Sequence, residues 1–74
     1  MAKTQSEVIK KTCKFGIIHS SNQKEYEVHV NVFDERVDYI VFDKSAITQK
    51  GSIDKSLSSF ALIAKELQNI VDNI

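Results

Sequence analysis

The segment from Val37 to Asp43 reads Val-Asp-Tyr-Ile-Val-Phe-Asp, a strand that is apolar on both of its faces. Val37, Tyr39 and Val41 fall on one side and Ile40 and Phe42 on the other, because successive side chains of a strand point to opposite faces. Just upstream, Tyr26, Val28, Val30 and Val32 alternate with Glu27, His29, Asn31 and Phe33, the period-two pattern of a half-buried strand. Asp34, Glu35 and Arg36 supply a turn between the two runs. Residues 26–43 therefore predict a β-hairpin, in a register that either face of the return strand would satisfy. One helix covers only one face of a small sheet. The second apolar face then needs other cover or a partner.

The C-terminal third supplies the helix. Ile53, Leu57, Phe60, Ala64, Leu67, Val71 and Ile74 recur at alternating spacings of four and three, a single apolar stripe at the helical period. Ile63 and Ile70 widen it on one side and Ala61 on the other. Gly51 marks the break before it, and Ser52, Asp54 or Ser56 is the expected N-cap. The stripe is short and lacks consistent charged flanks, so it predicts a helix packed on a sheet rather than a coiled-coil strand. Residues 14–20, Lys-Phe-Gly-Ile-Ile-His-Ser, read as a third strand weakened by Gly16, with a polar turn over residues 20–24. Residues 5–13 stay open between helix and strand. Thr4 and Glu7 have capping-box spacing, which favours a short helix carrying Val8, Ile9, Thr12 and Cys13 on one face. Residues 44–52 read as a loop. The expected fold is a single α+β domain over residues 1–74: a three-stranded antiparallel meander packed by a long C-terminal helix, with the short N-terminal helix as an addition.

Size and composition limit what such a domain does. The chain has 74 residues, 42% hydrophobic and 27% charged, no proline and two glycines, a globular balance with no linker. A domain this small is stable by roughly 4–11 kcal/mol, and a deep cleft of about 300 Å³ is hard to carve from its core. Cys13 is the one cysteine, so no internal disulfide forms. No apolar run reaches the ~18 residues of a membrane span, and the opening MAKTQSEVIKKTCKF has no apolar signal core. The cytoplasm is the expected compartment. Ten basic and ten acidic residues give a formal net charge of zero. Their distribution is uneven. Residues 1–24 hold five lysines against Glu7, and residues 25–43 hold six acids against Arg36.

No constellation calls for catalysis. Cys13, His19 and His29 are the soft or imidazole ligands, but their C-x5-H-x9-H spacing fits no zinc signature. A core cysteine and two sheet-surface histidines are the simpler reading. A Cys–His nucleophilic pair would need an orienting third group and a pocket. Residues 39–48, YIVFDKSAIT, brush against the strand-ending Asp-Lys-Thr-Gly-Thr of P-type ATPases. They lack its glycine, are out of step by one residue, and come without room for that family's phosphate-binding domain, so Asp43 and Lys44 read as a charged strand end. Gly-rich phosphate loops and hydrolase motifs are absent from the sequence. No cofactor, no metal and no enzymatic activity are expected.

Binding is the remaining class. Phe33, Phe42 and His29 on an open sheet would suit base stacking, but the acidic hairpin that carries them repels phosphate. A basic stretch of Lys3, Lys10, Lys11 and Lys14 supports direct nucleic-acid contact as an alternative, and a structural homodimer or assembly subunit is another. The expected function is a non-catalytic protein-interaction module, a small inhibitor or regulator of a larger macromolecular partner. Its expected contact residues are Glu25, Glu27, Phe33, Asp34, Glu35, Asp38, Ile40 and Phe42. The acids would steer the module towards a basic surface, including that of a nucleic-acid-handling complex. In size and architecture, though in no motif, the chain is similar to phage-encoded proteins of the anti-CRISPR or host-takeover kind.

Overall fold

A computed structural model of the chain describes residues 9–57 and 59–74. Four strands, β1 (Lys11–Ile18), β2 (Glu25–Val32), β3 (Val37–Asp43) and β4 (Ala46–Ile53), are followed by one helix, α1 (Phe60–Asp72). The strands form one antiparallel sheet in sequence order, so every connection is a hairpin between neighbours. The α+β class is as the sequence predicts. The sheet has a fourth strand where residues 44–52 read as a loop.

The β2–β3 hairpin forms as expected. Val32 pairs with Val37, and the Phe33 N–H donates to the Arg36 carbonyl across the turn at 2.8 Å. The next turn is less conventional. Asp43 pairs with Ala46, leaving Lys44 and Ser45 as a two-residue loop with φ of 51° and 76°. Positive φ at both positions matches the twist of paired strands, and Asn-Gly is the usual solution. Lysine and serine adopt the geometry with a Cβ crowding the backbone, so the hairpin carries no local sequence signal. Beyond it, Val41 faces Gln49 while Phe42 faces Ile47. The extra residue, Thr48, makes a β-bulge. Gly51, expected to break the chain before the helix, lies inside β4 opposite Tyr39. A Cβ there would sit 2.7 Å from the Tyr39 hydroxyl, so the glycine makes room for the ring.

At the N-terminal end, Thr12 and Cys13 are in β1 rather than in a short helix. The capping pair Thr4 and Glu7, and Val8, lie outside the described residues. The core lies between one sheet face and α1. Val28, Val30, Val37 and Val41 meet Leu67 and Val71, all fully buried. Ile17, Tyr26, Val32, Tyr39, Ile53 and Ile63 complete the cluster. The helix begins seven residues later than its apolar stripe suggests, because Ile53 and Leu57 continue the spacing by coincidence; Ile53 is the last, inward-facing residue of β4. The N-cap is Ser59, whose hydroxyl accepts from the Leu62 N–H at 3.3 Å, not Ser52, Asp54 or Ser56. The buried line is Ile63–Leu67–Val71, rotated from the expected one. Ile63 is 4% exposed and Ile74 39%.

The end of α1 is tied to the β1–β2 turn. The Asp72 carboxylate accepts from the Ser20 backbone N–H at 2.8 Å and the Ser20 hydroxyl at 2.9 Å, and Gln68 donates to the Ile18 carbonyl at 2.9 Å. The Ser20 backbone bond, with those from the Ser20 hydroxyl and Gln68, holds the Asp72 carboxyl below its ordinary 3.8. A lowered carboxyl contributes stability that is complete above the unfolded value and is lost as pH falls through the folded one. Asp72→Asn is therefore expected to lower the urea midpoint at pH 7 and to converge with the parent chain in acid, below about pH 3.8. Parallel midpoint-against-pH curves for the two proteins would show that this carboxylate plays no such part.

Candidate functional site

The face of the sheet opposite α1 has no cover among the described residues. The strand register arranges its side chains in rows. Thr12, Asn31, Asp38 and Ser52 form the first, a polar row. Here the Thr12 hydroxyl donates to the Asn31 side-chain carbonyl at 3.0 Å, and Asp38 accepts from Ser52 at 2.7 Å and from Arg36 Nε at 2.7 Å. Lys14, His29, Ile40 and Lys50 form the second row. Gly16, Glu27, Phe42 and Ile47 form the third. Glu25 follows on β2, and its carboxylate lies over Gly16, where a Cβ would collide with it.

The centre of this face is apolar and rigidly backed. The His29 ring sits 4.5 Å from the Phe42 ring, centroid to centroid, and its Nε2 contacts Glu27 Oε2 at 2.9 Å. Ile40 and Phe42 are half-buried, and Ile47 is 57% exposed. Two open depressions of about 470 Å³ each flank the rings. One lies among Lys14, Gly16, Glu25, Glu27 and Phe42, and the other among His29, Ile40, Lys50 and Gly51. Their floors are strands with fully buried valines on the far side, so the surface is preformed.

Five of the eight expected contact residues, Glu25, Glu27, Asp38, Ile40 and Phe42, share this face. Phe33, Asp34 and Glu35 do not; they sit in the β2–β3 turn at one end of the sheet. The Arg36 guanidinium lies 4.4 Å from the centre of the Phe33 ring, and Lys10 pairs with Asp34 at 3.0 Å. Sequence reasoning misses Lys50 and Ile47, and places Lys14 in the basic stretch rather than on this face. Ile47 and Lys50 belong to a strand that read as a loop, and Lys14 joins the face only through its pairing with His29.

The structure disperses both charged segments. Asp34, Asp38 and Asp43 are ion-paired with Lys10, Arg36 and Lys24. The Lys24–Asp43 contact, at 2.5 Å, raises the Lys24 ammonium above its usual value through a hydrogen bond and direct attraction. Of the six acids in residues 25–43, Glu25, Glu27 and Glu35 are exposed and have no lysine or arginine partner among the described residues, Glu27 lying against His29. Of the basic stretch, Lys10 is paired, Lys11 and Lys14 point to opposite faces of β1, and Lys3 lies outside the described residues. Cys13 and His29 also face opposite sides of the sheet. His19 is 5% exposed in the β1–β2 turn, where its Nδ1 accepts from the Ser21 N–H at 3.1 Å. Among the described residues, no three His, Cys, Asp or Glu side chains are grouped to hold a metal, and no helix is long and apolar enough to cross a membrane. Compared with family models, curated proteins and solved structures, the chain matches none of them, and the uncovered sheet face is left to be interpreted by its own chemistry.

Proposed function

We propose that this chain is a non-catalytic, cytoplasmic protein-binding module, a small inhibitor or regulator that docks on a larger macromolecular partner through the uncovered sheet face. The observation that carries the reading is the apolar centre formed by Ile40, Phe42 and Ile47, ringed by Lys14, Glu25, Glu27 and Lys50 on a preformed surface. Apolar centres with charged rims are how protein interfaces are built. Aromatic side chains at such centres supply a disproportionate share of the binding energy. The anti-defence or host-takeover class of phage protein is the concrete version, supported by size and architecture alone. Glu25 and Glu27 are the acids on this face that would meet a basic partner surface, including one that handles nucleic acid, and Glu35 adds exposed charge from the turn at the end of the sheet.

Phe42→Asp is expected to weaken capture of the partner by at least about 30-fold, the scale of a central hot-spot residue. Reversal of Glu25, Glu27 and Glu35 to lysine is expected to slow association and flatten its salt dependence. Affinity capture from host lysate followed by binding kinetics reads both. Capture that survives Phe42→Asp unchanged would remove the face from the function, and unchanged association after charge reversal would remove the steering.

A further inference from the structure

We propose that, when no partner is present, the uncovered face packs against the same face of a second copy, with the two-fold axis running across the strands between the Ile40 row and the Phe42 row. This rests on the reading of that face as an interface and names its occupant in the free protein.

Charge placement selects the axis. A two-fold axis across the strands keeps each strand over its own counterpart and exchanges the two central rows. Ile40 then meets Phe42 of the second copy, and His29 meets Glu27. Lys14 meets Gly16, which is the position covered by the Glu25 carboxylate. Lys50 meets Ile47, an apolar neighbour for its aliphatic stem, so the central contacts are one apolar pair, one polar pair and a lysine over the Glu25 carboxylate, and none sets like charges together. A two-fold axis along the strands, between β2 and β3, does the opposite. It sets Lys14 against Lys50 and buries Phe42 against Glu27, and like charges face to face oppose association. The interface across the strands is self-complementary, as a closed dimer requires.

The sheet edges are poorer sites. The outer strand β4 carries a bulge at Thr48 and a lysine at Lys50, and β1 carries Lys11 and Lys14; bulges and lysines are how exposed edges resist added strands. The face has no such device at its centre. Its size sets the strength. Four strands about 4.8 Å apart and seven residues of about 3.3 Å give a face of about 450 Å². Two such faces bury roughly 900 Å², in the range of weak, transient interfaces. An interface of that size belongs with the weak, transient class, and a larger partner surface displaces the second copy.

Sedimentation of the purified chain from about 10 μM to 1 mM is expected to show monomer passing to dimer. Phe42→Asp and, separately, Ile40→Lys are each expected to raise the dimer Kd at least tenfold while circular dichroism stays unchanged. In a Cys13→Ser background with a mild added oxidant such as copper–phenanthroline, mixing Ile40→Cys with Phe42→Cys is expected to give a mixed disulfide faster than either protein gives its own. A chain that is monomeric at 1 mM overturns the proposal, as does a dimer indifferent to both face variants. Faster cross-linking of Gln49→Cys with itself would place the contact at the β4 edge and overturn it too. These results use no partner, so they leave the Phe42→Asp capture experiment to decide the function on its own.

Discussion

Leu67→Ala is expected to cost about 3 kcal/mol, within the range for a leucine truncated at a site that cannot collapse. Leu67 is fully buried, at the middle of the only helix among the described residues, and faces the valines of β2 and β3. A domain of this size has on the order of 4–11 kcal/mol in total, so the variant sits at the edge of unfolding at 37 °C. Urea denaturation measures the effect, with the slope of the transition unchanged and the midpoint lowered. A companion pair locates the buried line. Ile63→Ala is expected to cost about 2–4 kcal/mol and Ile74→Ala less than about 1 kcal/mol. The reverse order would restore the stripe that ends at Ile74 and contradict the helix orientation described above.

A gain of comparable size is expected at the β3–β4 turn. Lys44 and Ser45 both have positive φ, a region that costs a residue with a Cβ about 1–2 kcal/mol. Lys44→Asn with Ser45→Gly gives the sequence that this two-residue turn favours. Glycine also increases the freedom of the unfolded chain, which offsets part of the gain. The net expectation is about 1–2 kcal/mol of added stability, or a rise in Tm of roughly 4–16 °C for a domain of this length. Thermal unfolding by calorimetry checks it. A Tm unchanged or lowered would mean that the turn does not have the geometry described.

That same turn explains where reading the sequence stopped short. The β2–β3 hairpin is legible because Tyr26, Val28, Val30 and Val32 point into the core while their neighbours do not, and because Asp-Glu-Arg is a plausible turn. The third hairpin has neither property. Lys-Ser is not a turn signature. From Ala46 to Lys50 every residue of β4 is exposed, so burial imposes no alternation on its sequence, and the bulge at Thr48 would have broken one. The helix is legible as an element because Ile63, Leu67 and Val71 must face one way. Its start is not, because Ile53 on a strand and Leu57 in the connection happen to fall at helical spacing. The two-faced apolar character of Val37–Phe42 did carry over to the structure, since one helix covers the side of Val37, Tyr39 and Val41 and leaves Ile40 and Phe42 half-buried. What it could not reveal was the company those two residues keep. The row with Lys14 and Lys50 exists only through strand register, and the isolation of Phe33, Asp34 and Glu35 follows from the turn that carries them to the end of the sheet.

The tie between Asp72 and Ser20 spans 52 positions of chain, whereas all three strand pairings join immediate neighbours. Folding rate follows the sequence separation of native contacts, because distant partners must first close a large loop. The meander therefore assembles from fast local hairpins, and docking of the helix onto β1 is the slow, entropically demanding event. Cutting the Asp72 link should then slow refolding as well as speed unfolding, the kinetic mark of a contact made during the rate-limiting step.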